Sequence, residues 1–448
     1  WEHHTWPELG ALVEKASHAL LESGIGVQEN VGIYAQNMPD WTIADLAIMG
    51  IGAVSVPIYA TNTSEQAKYI IDEAKIKILF VGDEEQYVKA LEIYSDPSST
   101  LEKIVLFNHR VDISAPVAVH FTGFIDNQSD ADPERIEQRR DQVTESDLAT
   151  IIYTSGTTGE PKGVMLSHGN FNQAFRIHDM RLHIDQNDHS LCFLPLSHVF
   201  ERAWSLYALN NGVTISYLED PKRIIEALAE VKPTTLCSVP RLYQKAYHTI
   251  KTQVNKSSRV KKALFNWALD TGHAYAEHLR QEKPIPLILK IKHRIADRLV
   301  HRKIRNIFGG RLRLLPCAGA PLSGEITAFF HALGMPILIG YGLTETCASV
   351  SVFPDKHYKF GSVGPVMPEV EVKLGPDNEI WVKGKTVMKG YYLKPEETEK
   401  VFTDDGWFRT GDAGVMDDEG HITITDRIKD LMKTSGGKYV APQPIESL

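Results

Sequence analysis

Residues 149–163 read Ala149-Thr150-Ile151-Ile152-Tyr153-Thr154-Ser155-Gly156-Thr157-Thr158-Gly159-Glu160-Pro161-Lys162-Gly163. The first five make a short apolar strand. It runs directly into a loop of hydroxyl residues, glycines and one lysine. Glycines let backbone N–H groups come close to an anion. Hydroxyl and ammonium groups add donors and a positive charge. The loop therefore predicts a phosphate cradle. It is not a Walker A loop, because Pro161 stands five residues after Gly156, where that motif needs glycine.

Outward from this loop the first half alternates strand and helix signals. Leu9, Leu12, Val13, Ala16, Ala19 and Leu20 recur at helical spacing. Strands are predicted over 31–35, 54–58, 76–81 and 104–107. Asp40 is the expected N-cap of a helix running to Met49, and Thr63 with Gln66 forms a capping-box pattern. Such alternation predicts α/β layers with a largely parallel sheet. After Pro368 the character changes. Two hairpins are expected, one around Gly375-Pro376-Asp377-Asn378 and one around Asp417-Asp418-Glu419-Gly420.

Composition narrows the function classes. Apolar residues make up 43% of 448, which suits a large core and argues against global disorder. The net charge of −9 argues against a general nucleic-acid binder. No apolar run approaches the ~18–20 residues that span a bilayer. Cysteines 192, 237, 317 and 347 lack metal or redox spacing, and so few fit a reducing compartment. The sequence opens at Trp1 rather than Met, so a targeting segment ahead of it stays open. Residues 290–305 hold seven Lys or Arg against one Asp. That stretch reads either as a solvated helix face or as a patch for anionic lipid or another acidic ligand.

The loop at 153–163 resembles the signature of the acyl-adenylate-forming superfamily, and further motifs follow in that family's order. Pro195-Leu196-Ser197-His198-Val199-Phe200-Glu201-Arg202, Phe308-Gly309-Gly310-Arg311-Leu312-Arg313 and Gly436-Gly437-Lys438-Tyr439-Val440-Ala441-Pro442 are similar to long-chain fatty-acid–CoA ligases. The resemblance implies a large multilayer α/β N-terminal AMP-binding domain over 1–426, with a small distorted β-barrel region near 369–425. It implies a hinge and the start of a C-terminal lid domain over 427–448, with most of that lid, and its adenylating lysine, lying beyond Leu448.

The activity implied is ATP-dependent activation of a long-chain fatty acid to acyl-AMP, then transfer to coenzyme A, with Mg²⁺ as the metal. Thr154, Ser155, Gly156, Thr157, Thr158, Gly159 and Lys162 would hold the β- and γ-phosphates. In Tyr341-Gly342-Leu343-Thr344-Glu345-Thr346, Tyr341 would stack on adenine beside Gly342, Thr344 would bond the α-phosphate, and Glu345 would hold Mg²⁺. Gly319, Ala320 and Pro321 would face the adenine. Asp412 would accept the ribose hydroxyls with Arg427 as its partner. Lys429 would be the hinge, and Lys433 would face the site during thioester formation. His198 and Phe200 would border the acyl carboxylate. A carboxylate is already ionised at neutral pH, so His198 is expected to position and screen charge rather than to act as a base.

Two alternatives share the core motifs: an adenylating enzyme that loads a carrier protein, and a nucleotide-binding remnant without ligase activity. The expected location is cytoplasmic, with at most peripheral contact at the inner face of a membrane. The sequence is silent on oligomeric state.

Overall fold

The computed structural model describes residues 1–126, 133–154, 160–354, 358–428, 432–433 and 439–440. They fall into two compact units. The first comprises Trp1–Asn172, Pro195–Arg202 and Met388–Thr398, and the second the remainder.

The first unit is built on an eight-stranded sheet. Its order is Gly390–Tyr391, Lys162–Ser167, Leu148–Thr154, Val54–Tyr59, Asn30–Ala35, Ile78–Val81, Lys103–Leu106 and Ala118–His120. From Leu148–Thr154 through to Ala118–His120 every pairing is parallel, and the two at the other end are antiparallel. The central strands are continuous apolar runs, as a sheet covered on both faces requires. Tyr34, Val56, Ile58, Leu79 and Ile104 share one fully buried cluster with Ile71 and Ala90 from the flanking helices.

Local signals explain most boundaries. Thr63 caps Ser64–Glu73 with the reciprocal pair of bonds expected: Gln66 N donates to Thr63 Oγ1 at 3.3 Å, and Thr63 N donates to Gln66 Oε1 at 3.1 Å. Asp40 departs from expectation. The helix Pro39–Gly50 begins two residues earlier, with Met38 at the cap and Asp40 inside the first turn. Pro39 fixes this start, because proline is tolerated at the first helical position, where no N–H is needed. Asp40 still favours the positive helix end from there.

The second unit has its own α/β portion. His189–Cys192 and Thr214–Tyr217 pair in parallel, as do Leu315–Cys317 and Ile337–Tyr341. Single bridges through Thr235 and Ser238 join these pairs. A four-stranded antiparallel sheet follows, in the order Glu371–Leu374, Glu379–Lys383, Phe408–Met416 and Ile422–Arg427. Register shifts at Glu379/Trp381 and Ala413/Gly414 bend it.

Buried histidines give the second unit an acid-sensitive core. His331 donates from Nε2 to the Ile337 carbonyl at 3.0 Å, and burial pushes its pKa down to about 4. Burial also lowers His178 and His301. The unfolded chain therefore takes up protons before the folded one, and stability is lost as pH falls from about 6.5 toward about 4. His331 alone accounts for about 3 kcal/mol of that loss. Urea unfolding at about pH 7 and about pH 4.5 should show it. A His331→Gln variant, which keeps a donor toward the Ile337 carbonyl, should flatten the dependence.

Candidate nucleotide site

In the first unit, Thr154 ends one strand and Lys162 opens the next, and the two are register partners. The strands that flank the loop are thus antiparallel neighbours. Ser155, Gly156, Thr157, Thr158 and Gly159 lie outside the described residues. The exit of the loop is anchored twice. The Tyr69 hydroxyl lies 3.3 Å from the Pro161 carbonyl and 2.8 Å from Glu73 Oε1. Lys162 forms an ion pair with Glu397, with its ammonium 5.2 Å from the centre of the Tyr391 ring. Glu397 has no signal in the sequence, being 235 positions away.

The 195–202 segment is also fixed in this unit. Arg202 and Asp45 are each 1% exposed and form a two-pronged pair at 2.6 and 2.9 Å. Arg202 also donates to Thr150 Oγ1 at 2.6 Å. His198 is exposed, and its Nδ1 accepts the Phe200 N–H at 3.1 Å. That bond places the proton of the neutral ring on Nε2.

In the second unit a cavity of about 210 Å³ brings together Gly319, Ala320, Pro321, Tyr341, Gly342, Asp412 and Arg427. Two strand-to-loop turns form one wall. Gly319 has φ +90°, a left-handed conformation that side-chain-bearing residues rarely adopt, with Val239 Cγ1 3.9 Å from where a Cβ would stand. Gly342 is required for another reason: a Cβ there would lie 1.6 Å from the Ala348 carbonyl oxygen. The strand end and the returning chain pass in direct contact.

Asp412 also lines the cavity and is 5% exposed. Its Oδ2 accepts the Tyr341 hydroxyl at 2.7 Å, and its Oδ1 lies 3.2 Å from Arg427 Nε. Burial, with Asp412 beside it, raises the Tyr341 pKa far above its usual value, so the hydroxyl stays a donor. Glu379 shapes the turn before Asp412 by accepting the Gly411 N–H at 3.1 Å and the Trp381 indole N–H at 2.7 Å. No sequence signal marked Glu379 for this task.

Thr344 is buried and Glu345 half-buried on a one-turn 3₁₀ segment, Thr344–Thr346. Cys347 and Ala348 follow with φ of 48° and 80°, two successive left-handed non-glycine residues. Such a conformation persists only where the surroundings impose it. Here the Leu343 N–H donates to Thr346 Oγ1 at 2.9 Å, and the Val350 N–H to the Tyr341 carbonyl at 2.8 Å. Next along, Ser349 is bonded to His178 Nε2 at 3.0 Å. The one carboxylate on this turn is the donor type a hard cation takes when phosphates and waters complete its shell. Lys429 lies outside the described residues. Lys433 falls on the strand Met432–Lys433, which pairs with Tyr439–Val440.

A pocket of backbone edges, a tyrosine ring and a buried carboxylate suits a base and its sugar. Consistent with this, residues 1–392 match the family model described as AMP-binding enzyme, and the chain belongs to that family. Among curated proteins, it is 33% identical over 453 residues to the long-chain-fatty-acid–CoA ligase FadD15 of Mycobacterium bovis, covering 100% of this chain and 73% of that protein. It is 32% identical over 473 residues to long chain acyl-CoA synthetase 3 of Arabidopsis thaliana, covering 99% of this chain and 69% of that protein. Among solved structures, ATP-bound MatB from Rhodopseudomonas palustris aligns with a TM-score of 0.72 at 25% identity, over 99% of this chain and 77% of that one.

Proposed function

We infer that this chain is an AMP-forming acid–thiol ligase that activates a long-chain fatty acid with ATP and passes the acyl group to coenzyme A. The carrying observation is the 33% match along the whole chain to a long-chain-fatty-acid–CoA ligase. The relatives named above for their reaction are CoA ligases or synthetases, which favours coenzyme A over a carrier protein as acceptor.

The residues divide the work by chemistry. The backbone at Gly319, Ala320 and Pro321 and the ring of Tyr341 offer flat surfaces to adenine. The remaining lone pairs of Asp412 accept the ribose hydroxyls, and Arg427 and Tyr341 hold that carboxylate in place. Thr154, the 155–159 loop and Lys162 hold the terminal phosphates. Lys162 exchanges Glu397 for phosphate when ATP arrives, so the loop keeps its charge balanced without nucleotide. Thr344 bonds the α-phosphate. Glu345 would hold Mg²⁺, which when bound neutralises charge on the phosphates as the fatty-acid carboxylate approaches. His198, neutral with its proton on Nε2, can donate to that incoming carboxylate. Lys433 and the hinge at Lys429 serve the second half-reaction, in which the thiol displaces AMP.

The test is ATP–pyrophosphate exchange with saturated acids of two, eight and sixteen carbons. Burial is worth about 0.8 kcal/mol per methylene, so the sixteen-carbon acid should be strongly preferred. Exchange with none of them, despite ATP binding, would overturn the assignment.

A further inference from the structure

Residues 287–305 form one helical run: Leu287–Ala296, a π turn Asp297–His301, and Arg302–Arg305. Its inner side is fully accounted for. Ala296 and His301 are buried, His301 bonds the Ala268 carbonyl at 2.9 Å, and the His293 ring stacks on Tyr275 at 3.8 Å. The outer side of a surface helix should be polar. Here it carries a bare apolar stripe: Leu287, Ile288, Ile291, Ile295 and Leu299 are 72, 70, 53, 47 and 41% exposed.

The backbone limits the drift of the stripe at its C-terminal end. Leu287, Ile291, Ile295 and Leu299 follow at steps of four. In an α-helix each such step drifts by roughly 40°, which would scatter them around the axis. The π turn winds wider, with bonds from i to i+5, and brings Leu299 back toward Ile295. Beside the stripe stand Lys290, Lys292, Arg294, Arg298, Arg302 and Lys303, all exposed. The one acid of the run, Asp297, is paired with Arg305 at 2.7 Å.

We propose that this face lies on an anionic lipid bilayer, with the stripe at the boundary of headgroups and acyl chains and the cations on lipid phosphates. An in-plane amphipathic helix with flanking lysines and arginines is suited to that boundary. No helix among the described residues is long and apolar enough to cross a membrane, so the contact is with the surface. Charge complementarity selects lipid over a second copy, because apposing two such faces would set like charges against each other. The acidic remainder of a chain of net charge −9 is repelled by the same membrane, so the patch also orients the protein.

The experiment is co-sedimentation of the full chain with vesicles of phosphatidylcholine alone or mixed with phosphatidylglycerol, without substrates, so its outcome is independent of the ligase assignment. Binding to the anionic vesicles at low salt is expected, with release at about 0.5 M salt. An Ile291→Asn/Ile295→Asn variant and a Lys290→Gln/Lys292→Gln/Arg294→Gln variant should each lose about ten-fold or more. These positions are exposed, and circular dichroism checks the fold. In the parent protein, amide exchange over 285–303 should slow when anionic vesicles are added. Equal sedimentation with both vesicle types, unchanged binding by both variants, or a dimer lost in the isoleucine variant without any vesicle binding would overturn the proposal.

Discussion

Replacing Glu345 by Ala is expected to cut fatty-acid-dependent pyrophosphate exchange by about two to three orders of magnitude, while AMP binding stays within a few-fold of the parent. The expectation rests on where the carboxylate stands. It projects from a single 3₁₀ turn whose backbone is held by Thr346 Oγ1 and by the Tyr341–Val350 bond, neither of which the substitution touches. These supports of the proposed cradle for base and ribose therefore stay in place, while the proposed oxygen ligand is removed. Attack of one anion on another depends on charge neutralisation, so the loss should fall on the rate. A magnesium titration of parent and variant separates the two effects. Near-parent turnover of Glu345→Ala at limiting magnesium would remove Glu345 from the metal site.

Asp45→Asn should lower the stability of the first unit by about 3–5 kcal/mol, the usual cost of leaving a buried charge without its partner. Arg202 is 1% exposed, and its guanidinium lies 5.6 Å from the centre of the Trp41 ring and 5.9 Å from that of Phe171. Water cannot replace the lost carboxylate oxygen there. Thr150 Oγ1 already donates to the Ser55 carbonyl, so it cannot supply a charge either. Urea unfolding followed by circular dichroism measures the change, and a loss below about 1 kcal/mol would show that the pair is not what secures the 195–202 segment.

What the sequence made legible follows from range. Strands of four to six apolar residues separated by capping signals are local, and they appear where expected at Asn30–Ala35, Val54–Tyr59, Ile78–Val81 and Lys103–Leu106. The hairpin turns after Pro368 are local too. Gly319, Tyr341, Asp412 and Arg427, which the family resemblance implies from separate motifs, line one cavity. The partners that hold them were not legible. Lys162 with Glu397, Arg202 with Asp45 and Tyr341 with Asp412 are 235, 157 and 71 positions apart, and no periodicity records such pairs. The left-handed Cys347 and Ala348 carry no residue-type signal at all. In 287–305 the basic residues were visible, but the bare stripe was not. Apolar residues occur on both sides of that helix, and only packing decides which side is covered.

The hydrogen bond from Tyr341 to Asp412 has a consequence for discrimination among nucleotides. The ring proposed to read the base and the carboxylate proposed to read the sugar are ends of one rigid unit. Disturbing either end releases the other, so errors in base and in sugar are not scored independently. A ligand wrong in its sugar forfeits part of its base affinity as well. Selectivity for the ribonucleotide is then a joint property of two residues on different strands, and changing one of them broadens both choices together.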